Sequence, residues 1–162
     1  MYSAAVLTIS TTGAKGERID TSGPNLVNML KNEGYDVKYT NIISDDVELI
    51  KKELIKLVDM DINLILTTGG TGFSKTDVTP EATLEVVERE TRGIPEMMRF
   101  MNYKNTEKSC LSRAVAGIKK NSLIVNLPGS ERAAKENLEA VIKPIEHGIK
   151  MLLSEGSNNC AG

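Results

Sequence analysis

Four segments of this 162-residue chain carry residue types suited to binding anions and metals. The richest is Thr67–Thr83, TTGGTGFSKTDVTPEAT. Its Gly69, Gly70 and Gly72 let the backbone approach an anion closely and turn N–H groups toward it. The run has a plainer reading as well, a tight turn after a strand. It is not a P-loop, because the fifth residue past Gly70 is Lys75, followed by Thr76. Nor is it a dinucleotide fingerprint, since Lys75 stands where the third glycine belongs. Asp77 follows five residues past Gly72. A carboxylate beside phosphates repels them unless a hard cation bridges the two, which reads as a Mg²⁺ ligand. The competing reading makes Asp77 a cap for the first turn of the next helix.

The second acidic position is the pair Asp45-Asp46, where either residue can cap a helix or meet a ligand. Asn126-Leu127-Pro128-Gly129-Ser130 offers free N–H groups and a hydroxyl at a helix start, an anion site by geometry. Ser112-Arg113, followed by Gly117, adds a guanidinium able to make bidentate contacts to phosphate or carboxylate, or an ordinary surface ion pair. His147 falls inside the last expected helix, and Cys110 reads as a small packed side chain.

These segments need elements to hold them. Apolar runs at Ala4–Ser10, Leu64–Thr67 and Ser122–Asn126 predict strands, and the alternation of Tyr35–Asn41 predicts one buried on a single face. Thr11–Asp20 reads as a loop. A helix is expected from Ser22, stopped by Gly34; a second over 46–59, capped by Ser44 or Asp45; a third capped by Thr79, with Pro80 at its first position. A short helix over Ile94–Met101 precedes a long last one, from Ser130 to about Leu153, with Pro144 as a kink or break. This order predicts a three-layer α/β/α domain with a mostly parallel sheet, and ligands beyond the carboxyl ends of its strands.

Composition narrows the function classes. Twenty Lys+Arg against 22 Asp+Glu give a formal charge of −2, without the basic footprint of a nucleic-acid binder. Aromatics make up 4% and Trp is absent, which leaves no base-stacking platform. One His and two Cys cannot build a three-His zinc site or a finger. Two distant cysteines point to a reduced, cytoplasmic setting, and no run approaches a membrane span. The length suits one domain over 1–162, with 154–162 expected to fray.

Taken together, GERIDTSGP (16–24), ISDD (43–46), TTGGTGFSKTDVTPEAT, LSRAVAGI (111–118) and NLPGS (126–130) resemble the MogA/MoaB family of molybdenum-cofactor biosynthesis, which is similar to the gephyrin G domain. The resemblance covers Ala4 to Leu153. It implies an adenylyltransferase that moves AMP from Mg-ATP onto the terminal phosphate of molybdopterin and releases pyrophosphate. It further implies a homotrimer that hands its product to a separate molybdenum-insertion protein. By the same resemblance Asp45 and Asp77 organise Mg²⁺ and are the catalytic acids. Thr68, Gly69, Gly70, Thr71 and Gly72 hold phosphate and nucleotide. Asn126, Pro128 and Gly129 line the nucleotide end, while Ser22, Gly23, Ser112, Arg113 and Gly117 belong to the substrate site, Ser112, Arg113 and the Ser22-Gly23 turn facing the pterin. The chain departs from the family at Ser44 (usually Pro), Thr76 (usually Arg) and Thr11 (usually Asp or Asn), the last implying weaker contacts at the pterin end. A molybdopterin-binding or scaffold module with little transfer activity is the alternative.

Overall fold

The computed structural model describes residues 1–154, so the expected frayed tail beyond Ser154 lies outside the described residues. Six strands, β1 (Ser3–Ile9), β2 (Asp36–Ile43), β3 (Leu64–Thr68), β4 (Arg89–Glu90), β5 (Ala116–Lys119) and β6 (Ser122–Leu127), form one sheet. Its order is β2-β1-β3-β6-β5-β4. The first four strands in this order run parallel, whereas β5 pairs antiparallel to β6 and β4 antiparallel to β5.

The period of two along each strand sorts its side chains into two cores. Ala4, Val6, Leu64, Leu66, Leu123 and Val125 point to one face. There they pack against α2 (Ser22–Asn32), α5 (Gly93–Asn102) and α6 (Glu131–Leu153). Ala5, Leu7, Ile65 and Ile124 point to the other, against α3 (Val47–Asp59) and α4 (Thr79–Val86). Because β1, β3 and β6 are covered on both faces, their sequences read as unbroken apolar runs.

Several local expectations change. A short helix α1 (Thr11–Ala14) interrupts the expected 11–20 loop, capped by Ser10, whose hydroxyl accepts from the Gly13 N–H at 3.1 Å. Of the candidates Ser44, Asp45 and Asp46, it is Asp46 that caps α3, accepting from Leu49 N at 2.8 Å. Thr79 is already inside α4 and its hydroxyl points elsewhere, donating to the Gly69 carbonyl at 2.9 Å. Helix α6 continues through Pro144, which lies on its exposed side. The β4–β5 edge and a 3₁₀ turn over Glu107–Leu111 carry no apolar run long enough to announce them.

Candidate active site

The loops that leave β1, β2, β3 and β6 at their carboxyl ends converge, and glycine makes the convergence possible. Gly69 and Gly70 have φ of 107° and 68°, backbone that an L side chain adopts only with strain. A Cβ at Gly69 would strike the Ile9 carbonyl oxygen of the β1 end, and one at Gly70 would strike the Thr79 hydroxyl. A Cβ at Gly129 would come within 3.3 Å of the Gly69 Cα. Hydrogen bonds lock the arrangement: Gly69 N donates to Leu127 O at 3.1 Å, and Thr79 N to Gly70 O at 3.2 Å. The Thr68 hydroxyl donates to the Pro128 carbonyl at 2.7 Å, which leaves the Ser22 hydroxyl, 2.8 Å away, to donate to Thr68.

Asp45 and Asp77 stand at this convergence, each with one oxygen engaged by its surroundings. Asp45 Oδ2 accepts from the Thr11 N–H at 3.0 Å and the Thr11 hydroxyl at 2.9 Å. Its Oδ1 faces Gly70, 3.3 Å from where a Cβ would stand. Asp77 Oδ2 accepts from the Ser74 N–H at 3.0 Å, so this acid closes its own loop rather than capping α4. Both acids line one cavity of about 370 Å³, together with Ser22, Thr68, Gly129 and Ser130. A second cavity, of about 560 Å³, adjoins it and shares Gly70, Asp77 and Gly129. That second space is lined by Thr71, Gly72, the exposed ring of Phe73, Leu111, Ser112 and Pro128.

Two residues expected to act at the same end are therefore separated. Ser22 lines the first cavity and Ser112 the second, on opposite sides of the wall that Gly70 and Asp77 share. Gly23 borders a neighbouring groove of about 670 Å³. Its N–H donates to Asp20 Oδ1 at 3.0 Å, and a Cβ there would collide with that carboxylate. Asn126 lines neither cavity. It is fully buried, donates to the Thr67 and Thr83 hydroxyls at 3.0 and 2.9 Å, and accepts from Val115 N at 3.2 Å. Gly117 is buried within β5, where a Cβ would press on Val87 and the Arg89 carbonyl at 2.8 Å.

Arg113 commits its guanidinium to the acid loop. Its Nε donates to Gly72 O and its Nη2 to Asp77 O, both at 2.7 Å, and its Nη1 pairs with Glu81. The Arg113 N–H donates to Thr71 O at 2.8 Å. Burial pushes the Glu81 carboxyl up, but hydrogen bonding to Arg113 and to its own N–H, with the Arg113 charge, leaves it below the ordinary glutamate value.

Sequence reasoning missed Asp20, which holds the start of α2 through Gly23 N and accepts from the Thr8 hydroxyl at 2.6 Å. Its signal was present, an Asp three residues ahead of the N–H it caps. Among the described residues, the first cavity carries the carboxylates of Asp20, Asp45, Asp77 and Glu131 against the single cation Arg18. A phosphate entering it needs a companion cation. Among the described residues no cluster of three or more His, Cys, Asp or Glu side chains could hold a metal alone. Two hard carboxylates completed by phosphate oxygens suit Mg²⁺, which prefers oxygen ligands and is seldom caged by protein alone.

The fold is a three-layer α/β/α domain with a mostly parallel sheet, and its paired acids stand beside a glycine turn at the carboxyl ends of the parallel strands. Residues 5–147 match the family model described as a probable molybdopterin binding domain, and the chain belongs to that family. It is 38% identical over 151 residues to a molybdopterin adenylyltransferase of Helicobacter pylori, covering 91% of this chain and 86% of that protein. It is 39% identical over 149 residues to the molybdenum cofactor synthesis protein cinnamon of Drosophila melanogaster. That match covers 91% of this chain but spans only 25% of cinnamon. The crystal structure of the molybdopterin biosynthesis enzyme MoaB from Thermus thermophilus superposes with a TM-score of 0.91 at 38% identity, covering 96% of this chain and 98% of that one.

Proposed function

We propose that this chain is a molybdopterin adenylyltransferase acting in molybdenum cofactor biosynthesis. The observation that carries the reading is the shared wall at Gly70, Asp77 and Gly129, where two cavities meet beside two carboxylates. Such a site can receive two phosphate-bearing molecules and bring their phosphates to one place. ATP and molybdopterin are the pair that the related enzymes' name supports.

In the transfer, a terminal phosphate oxygen of molybdopterin attacks the α-phosphorus of ATP. The new P–O bond forms as the bond to the β-phosphate oxygen breaks, and pyrophosphate leaves with that electron pair. The attacking group is already an anionic oxygen, so the site needs orientation and charge neutralisation more than a protein nucleophile. Backbone N–H groups of the glycine turn and of the α6 start orient the phosphates. Asp45 and Asp77 hold Mg²⁺, which when bound offsets phosphate charge. A homotrimer in the cytoplasm, passing its product to a separate metal-inserting protein, completes the reading.

Pyrophosphate release from Mg-ATP and molybdopterin, compared between wild type and Asp77→Asn, tests the assignment. The wild-type chain is expected to turn over and the variant to lose at least about a hundredfold, as when a group stabilising transition-state charge is removed. Equal rates would sink the transferase reading and leave the molybdopterin-binding module.

A further inference from the structure

The two acids are not held alike. One N–H, that of Ser74, restrains Asp77 Oδ2, whereas Thr11 closes a ring of three hydrogen bonds around Asp45. The Asp45 N–H donates to the Thr11 hydroxyl oxygen at 3.1 Å. That hydroxyl then donates its own proton to Asp45 Oδ2 at 2.9 Å, and the Thr11 N–H adds a second bond to the same oxygen at 3.0 Å. The hydroxyl rotor has one donor and one acceptor role filled, both by Asp45, so its direction is set. With Oδ2 saturated by two donors, Oδ1 is the oxygen turned toward Gly70 and the cavity.

We propose that Thr11 is a positioning residue: it selects which carboxylate oxygen of Asp45 is presented to a divalent cation. A neutral hydroxyl here organises Asp45 without setting another carboxylate against it, beside a cavity already lined by four. Thr11 sits in the first turn of a four-residue helix whose start is fixed by Ser10, and Ser10 N donates to Ile43 O at 2.8 Å. The β1 and β2 ends are thereby tied together next to the residue pair. An acid delivered in one orientation binds a cation without first losing rotamer entropy.

The proposal rests on Asp45 being a cation ligand, as in the proposed function, but its test does not depend on transfer. Free Mn²⁺ is titrated with the full-length protein and ATP and followed by its paramagnetic resonance signal, for wild type, Thr11→Val and Thr11→Ser. Valine matches the shape of threonine and removes only the hydroxyl; serine keeps it. Valine is expected to weaken Mn²⁺ binding roughly tenfold, the scale of a lost hydrogen bond to a charged group, and serine to restore it. Thr11→Ala carries the valine expectation should the valine chain not fold. In pyrophosphate release, the half-saturating Mg²⁺ concentration should rise in the valine variant more than kcat falls. Wild-type Mn²⁺ binding by the valine variant overturns the proposal, as does equal loss in valine and serine, or no Mn²⁺ binding by wild type. A wild type that binds Mn²⁺ yet releases no pyrophosphate removes the transferase reading and leaves Thr11's role intact.

Discussion

The guanidinium of Arg113 holds the backbone carbonyl of Asp77 at 2.7 Å, across 36 residues of sequence. With Nε on the Gly72 carbonyl and Nη1 on Glu81, one side chain staples both ends of the loop that carries the acid. Arg113 thus serves the site by shaping it, and its charge is used inside the protein. Removing it by Arg113→Ala should lower pyrophosphate release at least about tenfold and cost about 1–3 kcal/mol of stability, since two carbonyls and Glu81 lose their donor. Arg113→Lys should recover only part, because an ammonium lacks the planar fork that reaches three acceptors. Steady-state kinetics and urea unfolding check both.

The Glu81–Arg113 pair also predicts a direction with pH. The Glu81 carboxyl lies below its ordinary value in the folded chain, so its stabilisation is present above the ordinary glutamate range. It is lost as pH falls through the lowered value. The stability gap between wild type and Arg113→Ala should therefore narrow below about pH 4. Urea midpoints of the two proteins across about pH 3–7 read this out, and a constant gap would contradict it.

Gly70 and Gly16 separate backbone strain from collision. Both have positive φ, 68° and 73°, but a Cβ at Gly16 meets open space while one at Gly70 strikes the Thr79 hydroxyl. Gly16→Ala should cost about 1 kcal/mol, the left-handed penalty alone. Gly70→Ala should cost more and abolish ATP binding, because Thr79 or the turn must move. Denaturation and equilibrium binding distinguish the two.

Asn126, for all its place beside the last loop, should behave as a structural residue. Asn126→Ala is expected to destabilise by about 1–3 kcal/mol, because the buried Thr67 and Thr83 hydroxyls lose a donor and Val115 N its acceptor. The folded fraction should bind ATP as wild type does. A selective loss of ATP affinity at unchanged stability would return Asn126 to the binding surface.

Tyr35 carries a buried hydroxyl without a hydrogen-bond partner among the described residues. Burial first, then the charges of Glu146, Tyr2 and Glu33, push its pKa up to about 12. A raised pKa gives stability that is complete below the ordinary tyrosine value and lost as pH rises from about 10 toward 12. Tyr35→Phe should be neutral or stabilising by about 1 kcal/mol at about pH 7, since an unmet buried polar group disappears. Above about pH 10 it should lose less stability than wild type, as seen in thermal melts across that range.

The elements legible in advance were those whose cause is local. Strands β1, β3 and β6 show as apolar runs because helices cover both of their faces, and α2, α3 and α6 show through their apolar spacing and capping residues. The edge pair β4–β5 stayed hidden: Arg89–Glu90 is exposed and Ala116–Lys119 is four residues long with a glycine inside. Capping was legible only to within a residue or two, since Ser44, Asp45, Asp46 and Thr79 all have suitable side chains. Which of them turns back to the helix depends on what else competes for it. Thr11 claims Asp45, and the Gly69 carbonyl claims Thr79.

At the site, residue types alone marked the candidates: a glycine turn after an apolar strand, two acids in separate loops, and a hydroxyl at a helix start. Those follow from side-chain pKa values, hydrogen-bonding capacity and glycine's backbone freedom, which a residue carries wherever it is placed. Tertiary structure alone decided the roles. It put Ser22 and Ser112 on opposite sides of Asp77, buried Asn126, committed Arg113 to the loop, and chose the oxygen of Asp45 that faces the cavity. The reason is range. Local propensities act over a few residues, but contacts such as Thr11–Asp45, Arg113–Gly72 and Asn126–Thr67 span 34, 41 and 59 positions and exist only once β2, β1, β3 and β6 lie side by side.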